Sequence, residues 1–349
     1  MDRSTGPIVP RLGVVMKRIE LGRTGTTVSQ VALGCMLMGT YTDEPTSYRM
    51  LDSFLDAGGD FLDTANCYAW WHAGSAGGES EELLGRWLAR GGDRDRVFLA
   101  TKVGGIVTDV PAALVDGKAD WDIAARHFEG AGADVVRRGI DASLRRLGTD
   151  HVDLYYVHVD DLATPIEETL EALDGIVRAG KVRHIGWSNV RTWRLERIRQ
   201  LADRHGWAAP VAVQQQHSYL RPPPRTDRAG IAGPELLDYL GRHDDLSLVA
   251  YSPILQGIYD DPDRRAGHGM WTAYAGPDSE ARLAAIGKVA AELGVTGNQV
   301  ALAWLLHQRS PEVIPIVGAR TWEQFEAFLP ALDVELDAGH LAALGEAGA

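Results

Sequence analysis

Four residues of chemically useful type each follow a short apolar run: Asp63 and Tyr68 in FLDTANCY, Lys102 in VFLATKVGG and His158 in HVDLYYVHVD. If those runs are the second, third and fourth strands of one parallel barrel, all four polar groups gather at its mouth. A free phenol has a pKa of about 10 and donates poorly at neutral pH unless a nearby cation stabilises the phenolate. Lys102 would supply that cation and lower the pKa of Tyr68. Asp63 would keep the buried lysine charged, and His158 would donate a hydrogen bond to a carbonyl oxygen. With Tyr68 as acid, such a site protonates the oxygen of a carbonyl as its carbon receives hydride. Taken singly, each residue has an ordinary reading: a packing tyrosine, an N-cap aspartate, a solvated lysine, a satisfied core histidine. Their succession at one end of consecutive strands favours the catalytic reading.

The elements that must position them are legible as alternating patterns. Apolar runs occur at 31–35, 61–65, 97–103, 152–158, 182–188, 211–216, 246–252 and 313–319. Between them lie segments of helical periodicity, such as SEELLGRWLAR, ADVVRRGIDASLRRLG and IEETLEALDGIVRAG. Eight strands alternating with helices describe an α/β fold of the (β/α)8 TIM barrel class better than a doubly wound sheet. MKRIELGRTGTTVSQ, ahead of the first strand, reads as a hairpin that could plug the barrel bottom. Segments 105–131, 217–232 and 254–279, after strands three, six and seven, are too long for simple connectors and belong where barrel active sites are built. A doubled helical stretch follows strand seven, and DAGHLAALGEAG reads as a closing helix. Residues 1–15 read as a disordered tail with Met16 as the start of a single domain, 16–349, and no linker divides it.

Composition narrows the class. The chain has 349 residues, 45% hydrophobic and 24% charged, with a formal charge of −13 spread along the helices. Nucleic acid and anionic membrane surfaces are poor partners for it. No stretch reaches the roughly 18 apolar residues of a membrane helix. Cys35 and Cys67 form no disulfide framework or metal knuckle, which suits a reducing cytoplasm. A metal-dependent barrel would need more converging ligands than Asp63, His158, Asp160 and Asp161, so no metal is expected.

From Met16 onward the chain resembles the aldo-keto reductase superfamily. DTANCY matches its Asp-Thr-Ala-x-x-Tyr, Thr101–Lys102 its Thr-Lys, and His158 its histidine after an Asp-Leu strand. The resemblance implies reduction of a small-molecule aldehyde, ketone or keto-sugar with NADP(H), bound extended and without a Rossmann fold. No G-x-G-x-x-G is present. GWSNV implies that Ser188 and Asn189, with Gln214, hold the nicotinamide carboxamide. YSPILQG implies that Tyr251 stacks on the nicotinamide while Ser252, Pro253, Leu255 and Gly257 line the pyrophosphate. VGARTWEQ implies close phosphate approach at Val317 and Gly318, a 2′-phosphate on Arg320 and Gln324 toward the adenosine. Gly34, Cys35 and Met36, after the first strand, and Asp63 complete the implied cofactor site.

Two positions depart from the family's pattern. Ala327 and Phe328 replace the usual Glu-Asn that hold the adenine amine, which leaves Phe328 to contact the base. AWWHAGSAGGE replaces a short glycine turn after Tyr68, so Trp70 and Trp71 are expected to wall the substrate pocket, joined by Trp121 and Trp271 from the long loops. Packing of loops onto the barrel is the competing role for these tryptophans. Some proteins resembling this family serve as redox-responsive partners of channels, so an NADP(H)-binding sensor with little turnover is the alternative function. A monomer and a homo-oligomer are both compatible with the sequence.

Overall fold

The structure is a computed structural model that describes residues 16–91, 94–223, 226, 229–265 and 269–348, so the expected tail at 1–15 lies outside the described residues. Eight parallel strands close into a barrel: Ala32–Gly34, Phe61–Asp63, Phe98–Val103, Val152–Val157, Val182–Ser188, Pro210–Gln216, Ser247–Tyr251 and Val313–Gly318. Each pairs with its neighbours in sequence order, and the eighth closes on the first. Strands buried on both faces read as continuous apolar runs, which is why all eight were legible. Helices Glu44–Asp56, Glu79–Ala89, Ala133–Leu147, Ile166–Arg178, Thr192–His205, Pro234–Gly241, Gly297–Leu306 and Trp322–Phe328 alternate with them, making a (β/α)8 barrel. The extra helix before strand eight is Pro277–Leu293, and Ala338–Glu346 is the closing one.

Period-two alternation sorts the strand residues. Phe61, Phe98, Ala100, Leu154, Tyr156, Ala212, Val249, Ile314 and Ile316 fill the barrel interior. Alternate positions are therefore Phe61 and Asp63 on strand two, Phe98, Ala100 and Lys102 on strand three, and Ala212 and Gln214 on strand six. Apolar residues occupy the lower layers, and the polar ones end each series at the top.

The hairpin is present, pairing Arg18–Glu20 antiparallel with Thr27–Ser29. Its Leu21 and Val28 are fully buried against the barrel interior. Ser29 N donates to Asp60 Oδ1 at 2.7 Å, and Gly22 N donates to Ser247 Oγ at 2.8 Å, fixing the plug to the strand starts.

The segment after strand three folds into a small cap. It holds helices Val110–Ala113 and Trp121–Ala124 and a two-residue hairpin, Leu114–Val115 with Lys118–Ala119. An antiparallel bridge between Val107 and Phe128 closes its neck. The segment after strand seven carries short helices Pro262–Arg265 and Gly269–Thr272. No single helix among the described residues is long and apolar enough to cross a membrane.

Candidate active site

Lys102 is fully buried, and its ammonium makes three hydrogen bonds: to Asp63 Oδ1 at 2.5 Å, Thr64 O at 2.7 Å and Tyr68 OH at 2.8 Å. Asp63 is 2% exposed and also accepts from Gln214 Nε2 through Oδ2 at 2.8 Å. Removing either partner of such a buried pair would cost about 3–5 kcal/mol by leaving the other charge uncompensated. Tyr68 is partly buried and donates to Asp63 Oδ1 at 3.4 Å. The ring of His158 meets that of Tyr68 edge to face, 5.7 Å between centroids. Asp63, Tyr68, Lys102 and His158 thus lie together at the C-terminal end of strands two, three and four.

Burial raises the Tyr68 phenol well above its ordinary value, and the Asp63 carboxylate adds to the rise. The effect expected of Lys102, a lowered phenol pKa, is opposed by both, so Tyr68 holds its proton throughout the neutral range. Such a phenol is a loaded acid that still carries its proton when a carbonyl binds. Burial, aided by the Lys102 charge, depresses His158 from 6.5 to about 3, so its imidazole is neutral. Cys67 was not among the residues the sequence assigned to the site, since one thiol beside a tyrosine gives no periodic signal. Its Sγ lies 3.4 Å from His158 Nδ1, and burial raises this thiol to about 12. Gly105 makes room for the pair: a Cβ there would meet His158 Nδ1 at 2.9 Å and Cys67 Sγ at 3.1 Å.

A second group forms beside these residues, on strands five to seven. Ser188 Oγ donates to Gln214 O at 2.8 Å. Asn189 Nδ2 donates to His158 O at 2.8 Å and to Ser188 Oγ at 3.1 Å, while Asn189 Oδ1 accepts from Tyr251 OH at 2.9 Å. Tyr251 OH also reaches Gly230 O at 3.1 Å. Left-handed backbone recurs after the strands: Asn189, Ser252, Leu255 and Gln256 in this group, and Ala69 beside Tyr68, have φ of 54°, 52°, 46°, 60° and 57°. Each lies just after a barrel strand, and left-handed non-glycine residues persist where a site over-determines them.

The remaining sequence candidates divide. Gly34 is the half-buried last residue of strand one and Met36 is exposed just after it, while Cys35 is fully buried with its thiol raised by burial. Ser252 and Gly257 are partly exposed, Pro253 is buried, and the Leu255 side chain packs into a satellite core instead of lining a groove. Val317 is buried, Gly318 is exposed, and the exposed Arg320 stacks its guanidinium on the Tyr41 ring at 5.1 Å. Gln324 turns back: its Oε1 accepts from Arg320 N at 2.8 Å, and with Thr321 it caps the next helix. The Thr-x-x-Gln spacing at 321–324 carried that capping signal. Phe328 is buried, edge to face with Phe325 at 5.1 Å, so the core claims the ring expected on the base. Trp70, Trp71 and Trp121 come together edge to face, with centroids 5.2 to 5.7 Å apart. Trp271 packs elsewhere, in the satellite core after strand seven with Arg265 over its ring.

Comparison with known proteins places this geometry in a lineage. The chain matches the model of the Aldo/keto reductase family over residues 30–349. It is 36% identical over 327 residues to the uncharacterized oxidoreductase YrpG of Bacillus subtilis, covering 92% of this chain and 93% of that one. It is 34% identical to norsolorinic acid reductase stcV of Emericella nidulans, covering 89% and 76%. It is 30% identical to versiconal hemiacetal acetate reductase of Aspergillus parasiticus, covering 92% and 94%. A crystal structure of the thermostable aldo-keto reductase Tm1743 with the inhibitor epalrestat superposes with a TM-score of 0.67 at 26% identity, covering 94% of this chain and 98% of the other. The chain is a (β/α)8-barrel oxidoreductase of the aldo/keto reductase family.

Proposed function

We propose that the protein is an NADP(H)-dependent cytoplasmic carbonyl reductase, folded as one domain over 16–349, that converts an aldehyde or ketone to an alcohol. The observation that carries this is the Lys102 ammonium, hydrogen-bonded at once to the Asp63 carboxylate and the Tyr68 phenol inside the barrel. The reductase names of two relatives agree with the direction.

When bound, a nicotinamide dinucleotide would supply the hydride that the carbonyl carbon receives. Tyr68 donates its proton to the carbonyl oxygen, so hydride and proton together give the alcohol. Lys102 stabilises the phenolate left behind, through its hydrogen bond and its charge. Asp63 and Thr64 O fix the ammonium in that position. His158, held neutral by burial, donates to the carbonyl oxygen and orients it.

The residues on strands five to eight suit the cofactor. Ser188, Asn189 and Gln214 would hold the carboxamide, and Tyr251 would face the nicotinamide ring. The left-handed turn from Ser252 to Gly257 would offer backbone N–H groups to the phosphates. Arg320, with no ion pair among the described residues, would take the 2′-phosphate.

The test is consumption of NADPH with a panel of aldehydes and ketones. Tyr68→Phe should lower kcat by about a hundredfold to ten-thousandfold while NADPH binding persists. Equal turnover by Tyr68→Phe and wild type would remove the acid. NADPH that binds but is not oxidised by any carbonyl would favour a sensing role instead.

A further inference from the structure

Six large apolar side chains are exposed among the described residues: Met36, Ile106, Val115, Trp121, Leu162 and Trp193. Each lies in a segment leaving the C-terminal end of a barrel strand or in the first turn of the helix that follows. Met36 follows strand one, Ile106, Val115 and Trp121 follow strand three, Leu162 follows strand four and Trp193 follows strand five. Singly exposed apolar residues are normal, but scatter would have spread them over the helix ring and the hairpin end as well. The apolar surface is instead confined to the face that carries Tyr68.

The tryptophans organise this rim. Ala69, at φ 57°, turns the chain sharply after Tyr68. Trp70 is sunk among Val107, Ala113 and Ala124 with 5% exposure, and anchors the cap. Trp71 and Trp121 stand against it and against each other, and Trp121 remains 54% exposed. Glu129 N donates to Ile106 O at 2.9 Å to close the loop of strand three, and Ala131 N donates to Asp161 Oδ2 at 2.9 Å to tie that loop to the loop of strand four, next to Leu162. A sugar would need converging donors and acceptors here. The cap also exposes Thr108, Asp109, Asp116, Lys118, Asp122 and Arg126, but at Trp71 and Trp121 it presents clustered indole faces.

We propose that this rim selects a fused-ring aromatic aldehyde or ketone, whose rings lie on Trp71 and Trp121 while its carbonyl reaches Tyr68. The proposal rests on the reductase reading above and names its substrate class. Chain geometry sets the length: Trp71 follows Tyr68 by three residues, a span of at most about 11 Å. Two or three fused rings span that distance, so one molecule can offer its carbonyl to Tyr68 and an outer ring to the indoles, whereas a small aldehyde has no such ring to offer. Covering an exposed indole with an aromatic face then adds binding that the small substrate lacks.

The experiment measures kcat/KM with NADPH for propanal, glyceraldehyde, benzaldehyde, 2-naphthaldehyde and 9-anthraldehyde, following the alcohol by chromatography. Efficiency should rise with each added ring. Trp121→Ala should reduce the naphthaldehyde-to-propanal ratio about tenfold, and Trp121→Phe should restore most of it. A ratio that does not move in Trp121→Ala, or glyceraldehyde as the preferred substrate, would overturn the proposal and leave the reductase reading intact. No turnover of any member would overturn both.

Discussion

The Sγ of Cys67 lies 3.4 Å from Nδ1 of His158, and the two meet beside Gly105, where no Cβ intervenes. Burial holds the thiol protonated and the imidazole neutral. A protonated thiol can donate to Nδ1, and with that assignment the ring proton sits on Nε2. That is the tautomer a carbonyl oxygen requires.

Cys67 is accordingly expected to position His158. Proton–nitrogen correlation spectra should show the Nε2–H tautomer for His158 in the wild type and in Cys67→Ser, and a mixture in Cys67→Val. kcat/KM for an aldehyde should fall about tenfold in Cys67→Val and recover in Cys67→Ser. An unchanged tautomer in Cys67→Val would leave the thiol a packing residue.

How much of this was legible follows from the kind of signal each feature leaves. Parallel strands buried on both faces write continuous apolar runs, so the barrel and the ends of its second, third and fourth strands could be read directly. Asp63, Tyr68 and Lys102 sit at those ends, and their meeting follows from the register that sets Asp63 beside Ala100 and Lys102 beside Tyr156. The cap was visible only as excess length, because VPAALVDGKADWD holds elements of two to four residues, too short for periodicity. Phe328 and Gln324, expected toward the adenosine, also have structural partners that the sequence reading did not weigh. Core packing took the first, and the N-terminus of the helix beginning at Trp322 took the second.

Arg320 should set the choice between the two nicotinamide dinucleotides. Its guanidinium lies over Tyr41, and Thr42 Oγ1 donates to its backbone carbonyl at 3.0 Å, so the residue is held at both ends. Arg320→Ala should weaken NADPH about tenfold to a hundredfold and change NADH by less than about twofold, as read by quenching of tryptophan fluorescence. Equal losses for the two would move the 2′-phosphate contact elsewhere.

Gly230 should act on the cofactor through Asn189 and Tyr251. A Cβ at this position would overlap Asn189 Oδ1 and come within 2.8 Å of Tyr251 OH. Neither neighbour can yield freely, since Asn189 is also tied to His158 O and Ser188 Oγ. Gly230→Ala is therefore expected to raise the NADPH dissociation constant about tenfold with an unaltered far-ultraviolet circular dichroism spectrum. Unchanged affinity would mean that the Asn189–Tyr251 contact is not needed for binding.

Acid should destabilise the fold before its depressed carboxylates titrate. His158 is lowered to about 3 and His217 to about 4, in each case chiefly by burial, and burial also lowers His184. The ordinary value, which the unfolded chain keeps, is 6.5. Between these limits the unfolded state binds more protons than the folded one, so stability is fully present above about pH 6.5 and is lost as the pH falls toward 4. The loss should approach about 1.4 kcal/mol per pH unit for each fully buried histidine. Glu129 and Asp160 are raised by burial and act in the opposite sense, but only near and below their own titration range. Urea midpoints at about pH 7, 6 and 5 should therefore decline in order, and the decline should be shallower in His217→Gln. A midpoint that holds level across that range would mean that the buried imidazoles are charged in the folded protein, and with that the neutral His158 donor would be lost.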